Sequence, residues 1–464
     1  MTSSDPIPAA ARTVQTAIQN PPSIDSPILL SPCEGCFWRM EEHLPGSHRN
    51  AAVLRLDGFV EEAIFDAALD HVQQRHPKLR AEVVTGPDGR LRYHSNRAAP
   101  PITREIKDYE GQECSWREEG FRLLQIPVPA TGPFVAITVF RNRELNKSVL
   151  IIGTHHAIAD GTSSIMILDD LLTEYARIEA QSSEPARPAR ELVSVARAHE
   201  TAGWRNRWWL LRRFMRLRLE ERRGHQTLLP ETPPNQRAPQ WEHWCFSPEE
   251  TSTLIRRCRQ EKASLAGALI SAAYCSLMKC LPDSEGLFRS QIPFNIRESA
   301  EGPAGKISSY DVGCFVSHMN EFHRVTKQTE FWDLARSATQ SVIGFFFAGG
   351  PSLGWNLTVL AEKKMMTQAA SKLMPSDYKR PTMLLTNFGN FRMGEIYGSL
   401  HARECITTFN NFRNGASLAM AALTMGGRLN VGFAGASLEP AFWSLLRDEV
   451  RRHLDAMIKP AGRG

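Results

Sequence analysis

A stretch rich in proline, serine and arginine separates two halves of this chain, and each half alternates strand-like and helix-like segments. The stretch begins with Gln181–Arg190 (QSSEPARPAR) and resumes with Leu229–Gln240, which holds four prolines. Proline lacks the N–H that helices and sheets need, so such runs are typical of connections. The 464 residues are also too many for one ordinary core, so the sequence predicts two domains of about 200 residues each.

The polarity of the chain predicts where these domains lie. Residues 1–27 are polar and lack an apolar run, so we expect a flexible tail rather than a signal peptide or a membrane anchor. An N-terminal subdomain is predicted for 28–180, an inter-domain connection for 181–240 and a C-terminal subdomain for 241–464. Each half mixes helices and strands, so the predicted fold class is α/β (α+β).

Hydrophobic periodicity predicts the individual elements. Alternating polarity predicts a strand at Ala51–Asp57, and helical spacing predicts a helix over Glu61–Arg75. Two apolar runs, Phe134–Phe140 and Ser148–Thr154, are predicted strands, and a helix is predicted within Thr162–Ala180. Further predictions are a hairpin of Leu79–Val84 with Leu91–His94, helices at Ser264–Met278, Phe331–Phe347 and Pro440–Ile458, and strands at Leu287–Ile296, Ser417–Met425 and Leu429–Ala434.

Charge and cysteine usage exclude several classes of protein. The formal net charge is +5, and Trp204–Arg223 alone carries eight arginines against two glutamates, so the rest of the chain sums to about −1. No general basic field exists to attract nucleic acid. The nine cysteines are dispersed and only Cys33 and Cys36 have CxxC spacing, which predicts free thiols, no metal site and a cytoplasmic location.

The string HHAIADG at residues 155–161 directly follows a predicted strand and precedes a predicted helix. Side chains alternate across a strand, so His155 and His156 are expected to face opposite sides and not to bind one metal ion together. One interpretation is structural, with both imidazoles partly buried and hydrogen-bonded to backbone groups. The other is catalytic, because a histidine at the rim of a turn titrates near about 6.5 and accepts a proton at neutral pH.

This string resembles the HHxxxDG motif of the condensation-domain-like acyltransferase superfamily. That superfamily includes the condensation domains of nonribosomal peptide synthetases, polyketide-associated acyltransferases, plant acyl-CoA-dependent acyltransferases and chloramphenicol acetyltransferase. Other segments resemble the family's blocks in the family's order: Leu56–Gly58 with Ala67–Leu69, Arg75–Arg80 (RHPKLR), Gly132–Phe134, Ile292–Arg297 (IPFNIR) and Val312–Ser317. The resemblance extends from about Ile28 to Ile458.

The resemblance implies two chloramphenicol-acetyltransferase-like sandwich domains arranged as a V, with the active site in a tunnel between them. His156 would be the general base, and His155 would support it. Asp160 would form a structural ion pair with Arg297, and Gly161 would keep the floor of the acyl channel open. No metal or permanently bound cofactor is implied, since the thioester of acyl-CoA or of an acyl-phosphopantetheinyl carrier protein supplies the activation.

One block departs from the family's pattern. Its Asp-Phe-Gly followed by Trp-Gly is matched only by Thr386–Asn390 (TNFGN), which has Asn387 in place of Asp and lacks the Trp. This departure counts against the plant branch and favours the bacterial polyketide-associated branch. Asn387, Phe388 and Gly389 are candidates for lining the substrate tunnel. Asn387 is also a candidate oxyanion donor, and the alternative for it is a turn-forming role.

A basic helix is predicted at Trp204–Arg223. One stripe of this helix is apolar and has arginines alongside it; the stripe consists of Trp204, Trp208, Leu211, Met215 and Leu219. Two interpretations stay open. The stripe contacts an anionic membrane or an acidic carrier protein, or it packs on the protein while the arginines face solvent.

The leading hypothesis is a stand-alone, monomeric acyltransferase of lipid, polyketide or peptide secondary metabolism. It would transfer an acyl group from a CoA or carrier-protein thioester to the hydroxyl or amine of a small-molecule acceptor. The alternatives are an epimerase-like relative that removes an α-proton, a catalytically silent module that binds carrier proteins, and a metal hydrolase. The intact His156, Asp160 and Arg297 argue against the silent module, and the opposite facing of His155 and His156 argues against the hydrolase.

Overall fold

The structure, a computed structural model, describes residues 27–459 except 96–99, 199–203, 224–225, 234–235, 239, 303–304, 357, 359–379 and 410–415. The predicted N-terminal tail lies outside the described residues, apart from residue 27. The chain divides into two compact units. The first comprises the residues up to Arg197 together with Ala300–Phe315 and Arg392–Cys405; the second comprises Ala198–Ser299, Val316–Phe391 and the residues from Ile406 onward.

Strands and helices alternate along both units. In chain order, the strands are β1 (Ile28–Leu29), β2 (Arg49–Asp57), β3 (Ala81–Thr85), β4 (Leu91–Ser95), β5 (Thr103–Asp108), β6 (Val135–Asn142), β7 (Lys147–His155), β8 (Arg197–Ala198), β9 (Trp241–Phe246), β10 (Glu285–Asn295), β11 (Ala300–Gly302), β12 (Gly305–Lys306), β13 (Val316–Thr326), β14 (Met383–Asn390), β15 (Ile396–Tyr397), β16 (Leu400–Phe409), β17 (Leu418–Met425) and β18 (Arg428–Ala434). The α-helices are α1 (Pro32–His43), α2 (Glu62–Arg75), α3 (Trp116–Leu123), α4 (Gly161–Glu179), α5 (Trp204–Arg223), α6 (Pro248–Gln260), α7 (Leu265–Cys280), α8 (Phe331–Phe347) and α9 (Pro440–Ile458). Short 3-10 helices lie at Pro77–Arg80 and Arg297–Ser299.

The first unit is built on a six-stranded mixed sheet with strand order β15-β16-β2-β7-β6-β5. Strand β7 lies near its centre, antiparallel to both β2 and β6, and only Lys147 at its start is exposed. Helices cover both faces of β7, because the Cα of Gly153 faces Leu123 of α3 while the Thr154 hydroxyl contacts Ser164 of α4. Both faces of the strand are therefore dry, as its apolar sequence predicts.

The second unit has its own six-stranded sheet, ordered β13-β10-β14-β17-β18-β9. Helix α7 is buried along most of its length and contacts β10, β13 and β14 as well as α8. Its small residues allow this close approach: a Cβ at Gly267 would lie 2.4 Å from the Ala335 carbonyl oxygen of α8. This small-residue helix therefore packs closely against both the sheet and a neighbouring helix.

Most predicted elements are present, with ends shifted by at most two residues. Strands β2, β6, β7, β10, β17 and β18, the β3–β4 hairpin, and helices α2, α4, α7, α8 and α9 all fall on predicted segments. The predicted α/β class is confirmed. Helix α1 was not predicted, although it begins with a capping box in which Ser31 and Glu34 bond each other's backbone N–H groups.

Two late segments belong to the first unit, and no pattern in the sequence predicted this. Strand β16 lies beside β2 in the first sheet, although it falls within the predicted C-terminal subdomain, 241–464. The range Ala300–Phe315 also belongs to the first unit. The predicted subdomains are each one continuous range of the chain, so their boundaries do not describe this exchange of segments between the two units. The physical reason for this exchange lies in β2. Without β16, β2 would be an edge strand, and the backbone N–H and C=O groups on its outer side would have no partners.

Three composition-based expectations concern cysteines, metal ions and membranes. All nine cysteines lie within the described residues, and none forms a disulfide. No cluster of three or more histidine, cysteine, aspartate or glutamate side chains in the described ranges is arranged to hold a metal ion. In the same ranges no single helix has the length and apolarity for a membrane span, and only α6 and α7 together, bent by 89°, meet that requirement.

Candidate active site

The HHAIADG string occupies the connection between β7, which ends at His155, and α4, which begins at Gly161. Asp160 is the N-cap of α4, and its carboxylate accepts a hydrogen bond of 2.8 Å from the Ser163 N–H. The same carboxylate accepts one of 3.1 Å from the Phe315 N–H, and the Asp160 N–H donates to the Gly313 carbonyl. Asp160 is 2% exposed. It therefore holds the helix and the 311–315 loop in one arrangement.

Asn50, at the start of β2, connects three parts of this turn. Its side-chain N–H donates to the Ala159 carbonyl at 3.0 Å, and its side-chain oxygen accepts from the Ser164 hydroxyl at 2.6 Å and from the Thr154 hydroxyl. The Tyr93 hydroxyl donates to the Ala157 carbonyl. These buried bonds leave the 156–160 segment few alternative conformations. Sequence patterns did not identify Asn50 or Tyr93.

His155 is fully buried and has a supporting geometry. Its Nδ1 accepts a hydrogen bond of 3.1 Å from the Ala157 N–H, which assigns the proton of the neutral ring to Nε2. Nε2 lies 3.5 Å from the Glu41 carboxylate, and the Trp38 ring meets the imidazole edge-on. Burial lowers the pKa of His155. The ring is therefore neutral and oriented by α1 and the turn.

Glu41, near the end of α1, is the main functional residue that sequence reasoning missed. It is 3% exposed and accepts backbone N–H bonds from Gly46 at 2.6 Å, Ser47 at 3.1 Å and Val128 at 3.1 Å. Burial would raise the pKa of Glu41, but the neighbouring His155 and the N–H groups of Gly46 and Val128 outweigh it and lower the pKa to about 2. The only signal in the sequence was an acid at the end of an amphipathic segment, which is not specific.

His156 differs from His155 because the residue as a whole is partly exposed. Its backbone N–H donates to the His48 carbonyl at 2.9 Å, and its ring stacks on Phe37 with centroids 4.8 Å apart and planes at 21°. Its Nδ1 is buried and has no hydrogen-bond partner among the described residues. A buried polar atom of this kind needs a partner, which a ligand or a water molecule can supply.

The pKa of His156 is lower than that of the ordinary imidazole that the sequence predicts. Burial and the neighbouring His155 lower its pKa to about 4, so the ring is neutral at physiological pH. His48 is a third imidazole nearby, and Phe37 lies between it and His156. Burial lowers the pKa of His48 to about 3. The neutral form that a general base needs is thus present, at the cost of weaker proton affinity.

The other predicted site residues lie as follows. Gly161 is the first residue of α4 and is partly exposed. Arg297 lies in the second unit at the start of a 3-10 helix, is 2% exposed, and donates to the Asn295 side-chain oxygen at 3.2 Å. Its ion pair with Asp160 stays a prediction. The channel role of Gly161 and the V-shaped arrangement with its tunnel also stay predictions.

Asn387, Phe388 and Gly389 lie near the end of β14, also in the second unit. The exposed Asn387 side chain accepts a hydrogen bond of 3.0 Å from the Gly389 N–H, Gly389 has φ +66°, and the register with β17 shifts there. This is a bulge, in which the left-handed glycine conformation explains the residue type. The geometry matches the turn-forming alternative for Asn387. A role of these residues in a tunnel or in oxyanion binding stays a prediction.

Comparisons with known proteins show which protein family this chain matches. The family model Condensation domain matches residues 29–348. Bacitracin synthase 3 of Bacillus licheniformis is 25% identical over 191 residues, which is 37% of this chain and only 3% of that protein, so the chain corresponds to a small part of this relative.

Solved structures share the fold. The first condensation domain of the CDA synthetase matches with a TM-score of 0.65 and 15% identity, covering 94% of this chain and 98% of that one. The epimerization domain from the third module of tyrocidine synthetase B gives 0.63 and 15%, covering 95% and 97%. A mutant starter condensation domain of rhizomide synthetase in complex with C8-CoA gives 0.59 and 14%, covering 94% and 96%.

These matches confirm the resemblance predicted from the HHAIADG string and its accompanying blocks. The identities to solved structures are low and show the fold alone, which is chloramphenicol-acetyltransferase-like. The family model, however, covers well over half of the residues. This chain belongs to the condensation domain family.

Proposed function

We propose that this chain is an acyltransferase in which His156 is the general base. The observation that carries the proposal is a neutral imidazole, in a partly exposed residue, whose buried Nδ1 has no partner among the described residues. This imidazole sits on a turn fixed by Asp160, Asn50 and the Glu41–His155 pair. This fixed position supports the proposal, because proton abstraction needs a base that is held in one geometry.

The proposed reaction moves one acyl group and one proton. His156 accepts the proton of an acceptor O–H or N–H while the oxygen or nitrogen attacks the thioester carbonyl carbon. The tetrahedral intermediate collapses by breaking the C–S bond, and the leaving thiolate receives the proton from the imidazolium. The products are an ester or amide and a free thiol. Neutral His156 is regenerated, so no other reactant is needed.

The proposed donor is acyl-CoA or an acyl group on a carrier protein. Family membership and the fold shared with a starter condensation domain that was solved with C8-CoA support a thioester donor. The proposed acceptor is a small-molecule alcohol or amine, and the proposed place of action is the cytoplasm. Because the curated relative is far longer than this chain, its product and partners are not transferred.

The test is release of free thiol from a panel of acyl-CoA and acyl-carrier-protein donors in the presence of small alcohols and amines, with the products identified by mass spectrometry. We expect His156→Ala to lower the rate by about 100-fold or more. His401→Ala is the matched control, because His401 is a partly exposed histidine of β16 and should leave the rate unchanged. Equal rates in His156→Ala and the unmodified chain would refute the proposal.

The same assay separates the alternatives. An epimerase-like relative would exchange the α-hydrogen of an aminoacyl thioester with solvent deuterium and release no thiol. A silent carrier-binding module would show neither reaction with any donor of the panel. In both cases the acyl-transfer proposal fails, while membership of the family is unaffected.

A further inference from the structure

Helix α5 packs on the second unit through one narrow side. Leu210 is 5% exposed, and Arg213 forms an ion pair with Glu321. The Arg213 guanidinium also donates to the Asn320 carbonyl at 2.8 Å and to the Ser341 hydroxyl at 3.0 Å. With 100° between successive residues, these contacts place the packed side on the line of residues 206, 210, 213 and 217.

The opposite side of the helix is apolar and exposed. The stripe predicted from the sequence lies about 180° from the packed line. Its exposed fractions are 69% for Trp204, 58% for Trp208, 45% for Leu211, 52% for Met215 and 42% for Leu219. Within the described part of the chain, the stripe is therefore exposed and does not pack on the protein. Leaving five large apolar side chains exposed along a helix about 30 Å long is unusual for a surface that faces only water.

Helix α8 ends beside the packed side of α5 and carries further exposed apolar residues. The Trp209 ring approaches Gly344, where a Cβ would lie 3.2 Å from it, and the Asn206 side chain donates to the Phe347 carbonyl at 3.4 Å. The last turns of α8 present three more exposed apolar residues: Ile343 at 47%, Phe346 at 53% and Phe347 at 75%. We call the exposed stripe of α5 the aromatic face.

Arginines flank the α5 stripe on both sides. Arg205, Arg212 and Arg216 lie along one edge, Arg207 and Arg218 lie along the other, and all five are exposed. The described helix thus combines a protruding row of aromatic and aliphatic side chains with cationic borders. This is the pattern of a helix that lies in the plane of a membrane surface, with tryptophan at headgroup level and arginine at phosphate level.

We propose that the aromatic face binds the surface of an anionic lipid bilayer. The charge complements lipid phosphates, and the protruding row suits a soft layer that can accept it. A folded acidic protein could pair with the arginines, but it would need a groove that matches the protruding row of apolar side chains. The proposal is independent of the proposed reaction, because no residue of the aromatic face belongs to the candidate active site.

The test uses the full chain and two kinds of vesicle, pure phosphatidylcholine and phosphatidylcholine with about one-third phosphatidylglycerol. Co-sedimentation should show stronger binding to the anionic vesicles, and tryptophan emission should shift to the blue on binding. Raising salt from about 0.1 M to about 1 M should weaken this binding, since the Debye length falls from about 10 Å to about 3 Å. Binding that is absent, or equal for both vesicles, would overturn the proposal.

Paired variants separate the apolar and charged contributions. Trp204→Ser with Trp208→Ser should lower partitioning into anionic vesicles by about tenfold or more. Arg212→Gln and Arg216→Gln should lower it by about fivefold each, with little change on neutral vesicles. Leu445→Ser on α9, which is 62% exposed, and Arg259→Gln on α6 are the matched controls and should bind as the unmodified chain does.

Other occupants of the face give different results. If the unmodified chain is a dimer without lipid and the tryptophan variants are monomers, the face binds a second copy and the proposal fails. It also fails if amide hydrogens of α5 are strongly protected without lipid and unchanged with it, since another part of the chain then covers the helix. His156→Ala should bind vesicles normally, so failure of the catalytic proposal leaves this one standing.

Discussion

Among single residues, burial rather than charge decides the protonation of the histidines around the turn. The pKa of His156 is lowered to about 4 by burial and by His155. A general base must be unprotonated, so kcat/KM should be constant from about pH 6 to about pH 8 and fall as pH decreases through about 4. Initial rates of thiol release across this range, with circular dichroism at each pH, provide the measurement. A midpoint near about 6.5, the value of an unperturbed imidazole, would contradict the assignment.

We expect Glu41 to contribute both to the geometry of the site and to the stability of the fold at low pH. Its folded-state pKa is about 2 against an ordinary value of 4.5, so its stabilisation is fully present above about pH 4.5 and is lost as pH falls to about 2. We expect Glu41→Gln to reduce the free energy of unfolding at about pH 7 by about 1–3 kcal/mol and to flatten its decline below about pH 4.5. Urea unfolding at several pH values measures both effects.

The control for this variant is Glu118→Gln, because Glu118 is exposed on α3. A positioning role for Glu41 also predicts that kcat falls more than KM rises, since His155 and the turn would lose their orientation while substrate contacts remain. Unchanged kcat in a destabilised Glu41→Gln protein would show that Glu41 is structural only.

Among elements, hydrophobic periodicity predicted the strands and helices in which each side keeps the same environment along the whole element. Strand β7 is apolar throughout because both of its faces are covered, and α4 shows helical spacing because one side faces the sheet. Helix α1 was missed because glycine and charged residues interrupt its apolar pattern, and three of its charged or small residues, Glu34, Gly35 and Glu41, are buried. Glu34 is satisfied by Lys78, and Glu41 by distant N–H groups, neither of which sequence spacing reveals.

The start of α4 offers a test of the predicted Asp160–Arg297 ion pair. Asn caps helices about as well as Asp, so Asp160→Asn should keep the cap on α4 while removing the charge and the bond accepted from the Phe315 N–H, because an amide has a single acceptor oxygen. If the pair exists, Asp160→Asn alone should destabilise by about 3–5 kcal/mol, and Arg297→Met should restore part of that loss. A double-mutant cycle by urea unfolding measures the coupling. Additive effects would show that Asp160 acts only through the Ser163 and Phe315 N–H groups.

For the whole molecule, the sequence predicted the class of fold and the family but not the exchange of segments. Which edge of which sheet a strand joins depends on the partner it meets in space, and β16 has no local feature that assigns it to β2. The same limit applies to the candidate site. The HHAIADG string marked one turn, whereas Glu41, Asn50 and the 311–315 loop reach it from distant parts of the chain.

This exchange predicts that the first unit cannot be isolated as a continuous fragment. A fragment of residues 27–198 lacks β16, so the nearly wholly buried β2 would become an open edge, and it lacks the 311–315 loop that Asp160 and Ser163 hold. An exposed apolar edge strand promotes association between chains. We expect the fragment to aggregate or to unfold without cooperativity, as measured by size-exclusion chromatography and thermal circular dichroism. The intact chain is the control, and co-expression with residues 199–464, which include α5 and the rest of the second unit, should restore a soluble complex. A monomeric fragment with a cooperative transition would mean that β16 is dispensable to the first sheet.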